Sequence, residues 1–283
     1  MSANPEGTAS RTEARDAAGT PWQLKMFSKT LKKQQKLALL RKQIGDTDGK
    51  RCLLITNGDN NGALNFHFRA GGGDWSWVEN EEDNIAEMQE LLGESVKKGE
   101  PEAIPFDDES FDVVVTIDVH EHLQDCGDFN TELRRVTRPG GIAVVTTPNG
   151  DGYKPVTILK NAIGMGKENY GHVVVGYNVQ QHSAMLSAVG FEPVSAGSYS
   201  KFFTEMLELA INFAYVKVLS KKNKTEVKQG TIAPSSEEQL ESVKKQYKMY
   251  SLVYPFLLVI SKLDLLLFFF TGYAVSVVVR RPT

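Results

Sequence analysis

Residues 104–118 read IPFDDESFDVVVTID, and the fold is decided there. Within them FDVVVTI is an apolar, β-branched run bounded by polar turn residues, the pattern of a strand buried on both faces. The same rhythm recurs on either side. Residues 51–56 (RCLLIT) and 75–78 predict strands upstream, and 142–147 (IAVVTT) and 191–194 predict strands downstream. Helices are expected from Ala63, over 84–96, over 129–136 and over 179–189, with Gly71-Gly72-Gly73 and Pro139-Gly140-Gly141 as turns. Strands alternating with helices predict βαβ units, and hence a doubly wound, mainly parallel α/β fold.

The flanks differ from this core. Residues 1–20 are polar and predict a disordered tail, with no apolar stretch of the secretory kind. Residues 22–44 predict a helix, with Leu24, Phe27, Leu31, Leu37, Leu40 and Ile44 on one side and many lysines between them. Those lysines form either a solvated face or an attraction to anionic headgroups. Near the C-terminus, 202–219 and 240–270 are strongly apolar helix candidates, separated by a polar, lysine-rich linker over 220–238. Lys262 and Asp264 lie inside the second, each costing about 3 kcal/mol near a bilayer centre, and Pro255 is expected to interrupt it. A crossing helix is therefore disfavoured, and the two helices either pack on the domain or form a lid that dips into a membrane interface. The expected organisation is a helical segment over 21–49, a core over 50–200, an apolar helical insertion over 201–271 and a last strand over 272–283.

Composition narrows the function. Thirty-two basic and 35 acidic residues give a net charge of −3, which is no footprint for a nucleic-acid partner. Two cysteines, Cys52 and Cys126, make neither a disulfide framework nor a CxxC zinc site, and a reducing, cytoplasmic setting follows. The loop after the first strand, LITNGDNNGAL over 54–64, lies where doubly wound folds bind nucleotides. Gly58 and Gly62 let a backbone approach a ligand, and Asn60 tolerates a left-handed turn. Glu79, ending the second strand, offers a carboxylate that accepts two hydrogen bonds from a ribose diol. The G-x-G-x-x-G fingerprint is absent, which argues against a nicotinamide cofactor.

Residues 104–114 (IPFDDESFDVV), 121–123 (EHL) and 132–141 (ELRRVTRPGG), in this order and spacing, resemble the class I S-adenosylmethionine-dependent methyltransferases, in particular those that modify small molecules and lipids. The resemblance covers about 50–194. It implies a seven-stranded Rossmann-like sheet with an antiparallel last strand, before which the apolar helices are inserted as a cap. It further implies that Gly58, Asn60 and Gly62 surround the methionine moiety and that Glu79 holds the ribose. Glu100, with Pro101 beside it, takes the place near the adenine, and Ile117 and Asp118 face the sulfonium. Thr56 stands where the family usually has an acidic residue, and Asn60 replaces a glycine.

The run Asp118-Val119-His120-Glu121-His122 gathers four ionisable groups at the end of the fourth strand. His120 or His122 is the candidate base for a hydroxyl acceptor, since imidazole titrates near neutrality; the other reading makes them scaffold. By resemblance to the ubiquinone-biosynthesis O-methyltransferases, Asp118, Glu121 and His122 are also candidate ligands for magnesium or zinc, provided the segment is helical. His172 is expected to help cover the acceptor pocket or to cap the structure there. The reading is a methyltransferase for a lipophilic small molecule, cytoplasmic or peripheral on the inner membrane face through 202–219 and 240–270. The alternative is a binding or membrane-peripheral protein of the same fold without turnover.

Overall fold

A computed structural model describes residues 19–58, 60–215, 240–241 and 243–283. The expected linker over 220–238, and nearly all of the expected tail over 1–20, lie outside the described residues.

Where the spacing predicts one helix over 22–44, two form: α1 (Trp22–Phe27) and α2 (Leu31–Ile44). The Thr30 hydroxyl donates to the Met26 and Phe27 carbonyls and that of Ser28 to Lys25, closing α1 by side-chain competition for its last acceptors. The core follows as β1 (Arg51–Thr56), α3 (Ala63–Arg69), β2 (Asp74–Glu79), α4 (Glu82–Leu92), β3 (Lys97–Lys98), β4 (Phe111–Ile117), α5 (Gly127–Val136), β5 (Thr137–Pro148), α6 (Pro155–Ala162), α7 (Val179–Ala188) and β6 (Glu192–Tyr199). Then come α8 (Phe202–Phe213), α9 (Lys244–Ser261) and β7 (Ala274–Arg280). Two of these elements carry no advance signal. The two-lysine β3 has no apolar alternation, and α6 opens on Pro155, a residue suited to a first helical turn.

The seven strands run in the order β3-β2-β1-β4-β5-β7-β6. All pairs are parallel except those of β7, which lies antiparallel between β5 and β6, as the expected last strand does. Alternation divides the core between two faces. Cys52 and Leu54 of β1 join Leu40, Phe68, Trp77 and Met88 on one face. Leu53 and Ile55 join Phe129, Leu133 and Leu186 on the other. All seven residues of β4 are buried, as a central parallel strand requires.

The insertion divides in two. α8 buries Thr204, Glu205, Leu209 and Asn212, and packs Phe202 and Met206 against Val156, Met165 and Tyr273. α9 continues through Pro255 rather than breaking there, with Tyr254 and Ser261 buried on either side of it. Asp264, on the turn after α9, is buried and caps α8 from outside. Its carboxylate accepts from the backbone N–H groups of Lys201 (3.0 Å), Phe203 (2.8 Å) and Thr204 (3.2 Å). These are the amides a helix start leaves without partners, and the helix dipole favours the anion. Asp264→Ala should lower unfolding free energy by about 1–3 kcal/mol in urea denaturation. A wild-type midpoint in that variant would show the cap to be dispensable.

Candidate active site

The strand order reverses between β1 and β4, so their carboxyl ends flank the crevice where this topology binds ligands. The turn after β1 is built on Glu79. Its Oε1 accepts from the Gly58 and Glu81 amides, both at 2.8 Å, and its Oε2 from the Thr56 hydroxyl at 2.7 Å. The Asn60 amide group donates to Thr56 Oγ1 at 3.1 Å and to Asn65 Oδ1 at 2.8 Å, while Asn60 Oδ1 accepts from the Gly62 amide at 3.1 Å. Gly62 has φ 87°, and a Cβ there would lie 3.2 Å from the Met88 backbone, so glycine is required. Burial pushes the Glu79 carboxyl up, and the neighbouring Glu81 charge adds to this against its three hydrogen bonds.

Thus Thr56 and Asn60, the two departures from the family pattern, form one polar chain that holds Glu79 in place. Glu79 is fully buried under the Gly58 turn. Sequence reasoning places it near a ribose but does not foresee that it carries the turn. Glu100 and Pro101 lie just beyond β3, where the Gly99 amide bonds the Glu79 carbonyl at 3.1 Å. The exposed Glu100 carboxylate pairs with Lys98 at 2.8 Å.

Ile117 pairs in register with Thr56 on one side and Thr146 on the other, which puts Asp118 at the open edge. Asp118 adopts φ 53°, an uncommon conformation for a residue with a side chain. Its carboxylate accepts from the Thr146 hydroxyl at 2.9 Å and is paired with Lys36 of α2. Burial works to raise the Asp118 carboxyl, but Lys36, Thr146 and Lys32 outweigh it and hold it below the usual range.

Helical geometry begins only at His120 and spans His120–His122, after the left-handed residue Asp118. The spacing argument for Asp118, Glu121 and His122 as metal ligands therefore fails. Asp118 is held by Lys36 and Thr146, whereas the side chains that converge are Glu121, His122 and His172, their ligand atoms within 4.8 Å of one another. The set implied by resemblance does not fit a divalent ion, because Asp118 is engaged by Lys36 and Thr146.

The two candidate bases separate as well. His120 is fully buried, bonded to Asn130 at 2.8 Å and stacked edge-on to Phe129 and His182. Burial lowers its pKa to about 4, so it packs as a neutral core residue. His122 is only half-buried, with Nδ1 bonded to the Gly171 carbonyl at 3.1 Å and its ring edge-on to His172 at 5.0 Å. The amides of Val173 and Val174 bond the Glu121 carbonyl at 2.8 and 3.2 Å, which fixes His172 over this turn. Burial, then the neighbouring His122, lower His172 to about 3.

One cluster was not foreseen. Glu205 of α8, buried, is paired with Lys32 at 3.2 Å and with Lys160, and accepts from the Ser200 hydroxyl. Three separate elements supply these groups, so no local pattern announces them. Burial works to raise the Glu205 carboxyl, but the two lysines prevail and bring it to about 2. A folded-state value below the ordinary 4.5 contributes stability above pH 4.5 that is lost as pH falls toward about 2. The stability advantage of wild type over Glu205→Gln should be constant above that window and shrink through it. Chemical denaturation across pH tests this, and a difference independent of pH would refute the assignment.

The family profile described as a methyltransferase domain matches residues 60–145. A protein of Mycolicibacterium smegmatis named as a probable S-adenosylmethionine-dependent methyltransferase is 43% identical over 60 residues, 21% of this chain and 23% of that one. A Mycobacterium ulcerans protein named as a probable phthiotriol/phenolphthiotriol dimycocerosates methyltransferase 2 is 32% identical over 99 residues, 34% of this chain and 38% of that one. The chain thus spans well under half the length of these curated relatives. The structure of Haemonchus contortus phosphoethanolamine N-methyltransferase 2 with S-adenosyl-L-methionine superposes with a TM-score of 0.55 at 16% identity, covering 88% of this chain and 53% of that one, a likeness of fold. With a mainly parallel sheet that ends in an antiparallel pair, and with the matched segment running from the Asn60 turn through β4 into β5, the chain contains a segment that matches a methyltransferase domain, set in a fold like that of the solved methyltransferases.

Proposed function

We propose that the protein binds S-adenosylmethionine across the carboxyl ends of β1, β2 and β4 and transfers its methyl group to a small, lipophilic acceptor. The observation that carries this reading is the polar turn of Thr56, Gly58, Asn60 and Gly62 closed over the Glu79 carboxylate at the reversal of strand order. The cofactor supplies an electrophilic methyl carbon. The protein's part is alignment and exclusion of water. Glu79, at the base of the Gly58 turn, would be the acceptor for the ribose hydroxyls. Ile117 and Asp118 would border the sulfonium, and Glu100 with Pro101 would form the rim beside the adenine. α2 closes the edge, with Lys36 held on Asp118.

For a hydroxyl acceptor, His122 takes the proton, and His120 stays in the core. His172, edge-on to His122, covers the same side. A lipophilic acceptor is supported by the name of the Mycobacterium ulcerans relative, which specifies a dimycocerosate lipid, and by Phe202, Met206 and Phe270 beside the Glu205 cluster.

Calorimetric titration tests the cofactor. Glu79→Ala should weaken S-adenosylmethionine binding at least tenfold, given about 1.5–3 kcal/mol for hydrogen bonds to a charged group. Unchanged affinity would remove Glu79 from the site, and a wild-type protein that binds no cofactor would overturn the reading. Transfer of labelled methyl into a lipid extract tests the base. His122→Ala should cut turnover about 100- to 10,000-fold while leaving cofactor affinity unchanged. Equal loss of both would make His122 structural.

A further inference from the structure

The stretch Lys244–Leu266 is long and apolar enough, by length and composition alone, to cross a bilayer, yet only 17% of its most apolar window is buried in the fold. Its exposed residues are ordered. Met249, Leu252, Phe256, Val259 and Leu263 recur at alternate spacings of three and four, so they form one stripe along the helix. The stripe runs on into the turn after α9, where Leu265 and Leu266 are 74% and 69% exposed and Phe268 and Phe269 are 84% and 75% exposed. An exposed apolar surface of this extent on one side of a protein marks a contact with something else.

The opposite face of α9 is pinned. The Tyr247 hydroxyl donates to the Lys25 carbonyl at 2.9 Å, Tyr250 to the Lys29 carbonyl, and Gln34 donates to the Tyr254 hydroxyl at 2.8 Å. Asp264 caps α8, and β7 re-enters the sheet at Ala274. To cross a bilayer the helix would have to give up all of these, including a buried carboxylate. Lying in the plane of an interface keeps every one of them while covering the stripe.

The charges select the occupant. From residue 243 to 271 the only carboxylate is Asp264, and it is buried. The exposed charges are all cationic: Lys244, which pairs with Glu241, and Lys245, Lys248 and Lys262. A second copy packed on this stripe would bring lysines toward lysines, since among the described residues from 240 to 271 the acidic groups are Glu241, already paired with Lys244, and buried Asp264. A surface of anionic headgroups complements the rim, and a hydrocarbon boundary complements the stripe. We infer that α9 and the turn bearing Phe268 and Phe269 form an in-plane docking surface for an anionic lipid bilayer, with α8 excluded from it as part of the folded body. If the protein methylates a lipophilic acceptor, this surface sets its cap helices against the phase that dissolves such an acceptor.

Flotation of the purified full chain with phosphatidylcholine vesicles, with and without phosphatidylglycerol, tests the surface. Binding should require phosphatidylglycerol, fall with added salt, and drop at least about tenfold when Phe268→Ser and Phe269→Ser are combined. Lys245→Gln and Lys248→Gln should each weaken it about fivefold. Because all four side chains are exposed, these variants should keep the wild-type melting temperature. Protein that stays unbound at low salt overturns the inference. So does a dimer in sedimentation that Phe256→Ser converts to monomer without any vesicle binding, and so does membrane-bound protein that resists alkaline carbonate, which means spanning. Cofactor titration of the same preparation keeps the two readings apart, since S-adenosylmethionine affinity does not depend on vesicle binding.

Discussion

β7 has to enter the sheet between β5 and β6, two strands that are already in place along the chain before it. It pairs antiparallel with both, over Ile142 to Pro148 on one side and Glu192 to Tyr199 on the other. The chain leaving β6 at Tyr199 must therefore return to the same place at Tyr273, whose amide bonds the Ser200 carbonyl at 2.7 Å. The joint is tight. A Cβ on Gly272 would lie 2.0 Å from the Tyr199 carbonyl oxygen, so no other residue fits there without moving the backbone. The described residues between the two ends are consequently looped out at the carboxyl edge of the sheet, beside the candidate active site. α8, α9 and the Asp264 turn take their positions from that closure.

The carboxylates at this edge serve different purposes, which their partners distinguish. Glu79 is surrounded by backbone amides and a hydroxyl, and fixes a turn. Asp118, half-buried at the end of β4, is paired with Lys36 and fastens α2 to the sheet edge, while Glu205 of α8 is paired with Lys32 and Lys160 and fastens α2, α6 and α8 to one another. Glu121 has one oxygen 3.3 Å from the Thr147 hydroxyl and the other 4.0 Å from His172; burial, then the charge of Asp118, push its pKa well up. A buried carboxylate that loses its partner is costly, so these contacts act as clasps. Lys32 and Lys36 lie on one face of α2 and reach Glu205 and Asp118 respectively, so a single helix secures both the cap and the edge that borders the candidate site.

The apolar insertion has two halves with opposite relations to water. α8 turns its apolar side inward and becomes part of the wall. α9 turns tyrosines inward, where each hydroxyl finds a polar partner, and leaves its aliphatic and aromatic stripe outside. Tyrosine suits this work because its ring packs while its oxygen is satisfied. The same composition thus yields a buried helix in one case and an exposed one in the other.

The sequence alone determined the central strands of the sheet and the loop that follows the first of them. The β4 run had to be buried on both faces because it offers no polar alternation, and the expected strand over 51–56 is the observed β1 to the residue, whereas β2, β5 and β6 run longer than their apolar cores. It also marked Gly58, Asn60, Gly62 and Glu79 as one neighbourhood, since the turn after β1 and the end of β2 are adjacent in any doubly wound sheet. Only tertiary structure decided what each group does there. Whether His120 or His122 faces the edge depends on the left-handed residue Asp118 and on Asn130, ten positions beyond His120. That Asp118 meets Lys36, that Glu205 meets Lys32 and Lys160, and that Asp264 caps α8 are pairings across 45 to 173 residues. Periodicity describes one element at a time, and it cannot report which side of a helix the rest of the chain will cover. For that reason 202–219 and 240–270 read alike as sequence, and only packing separated the helix that builds the core from the one that stays open.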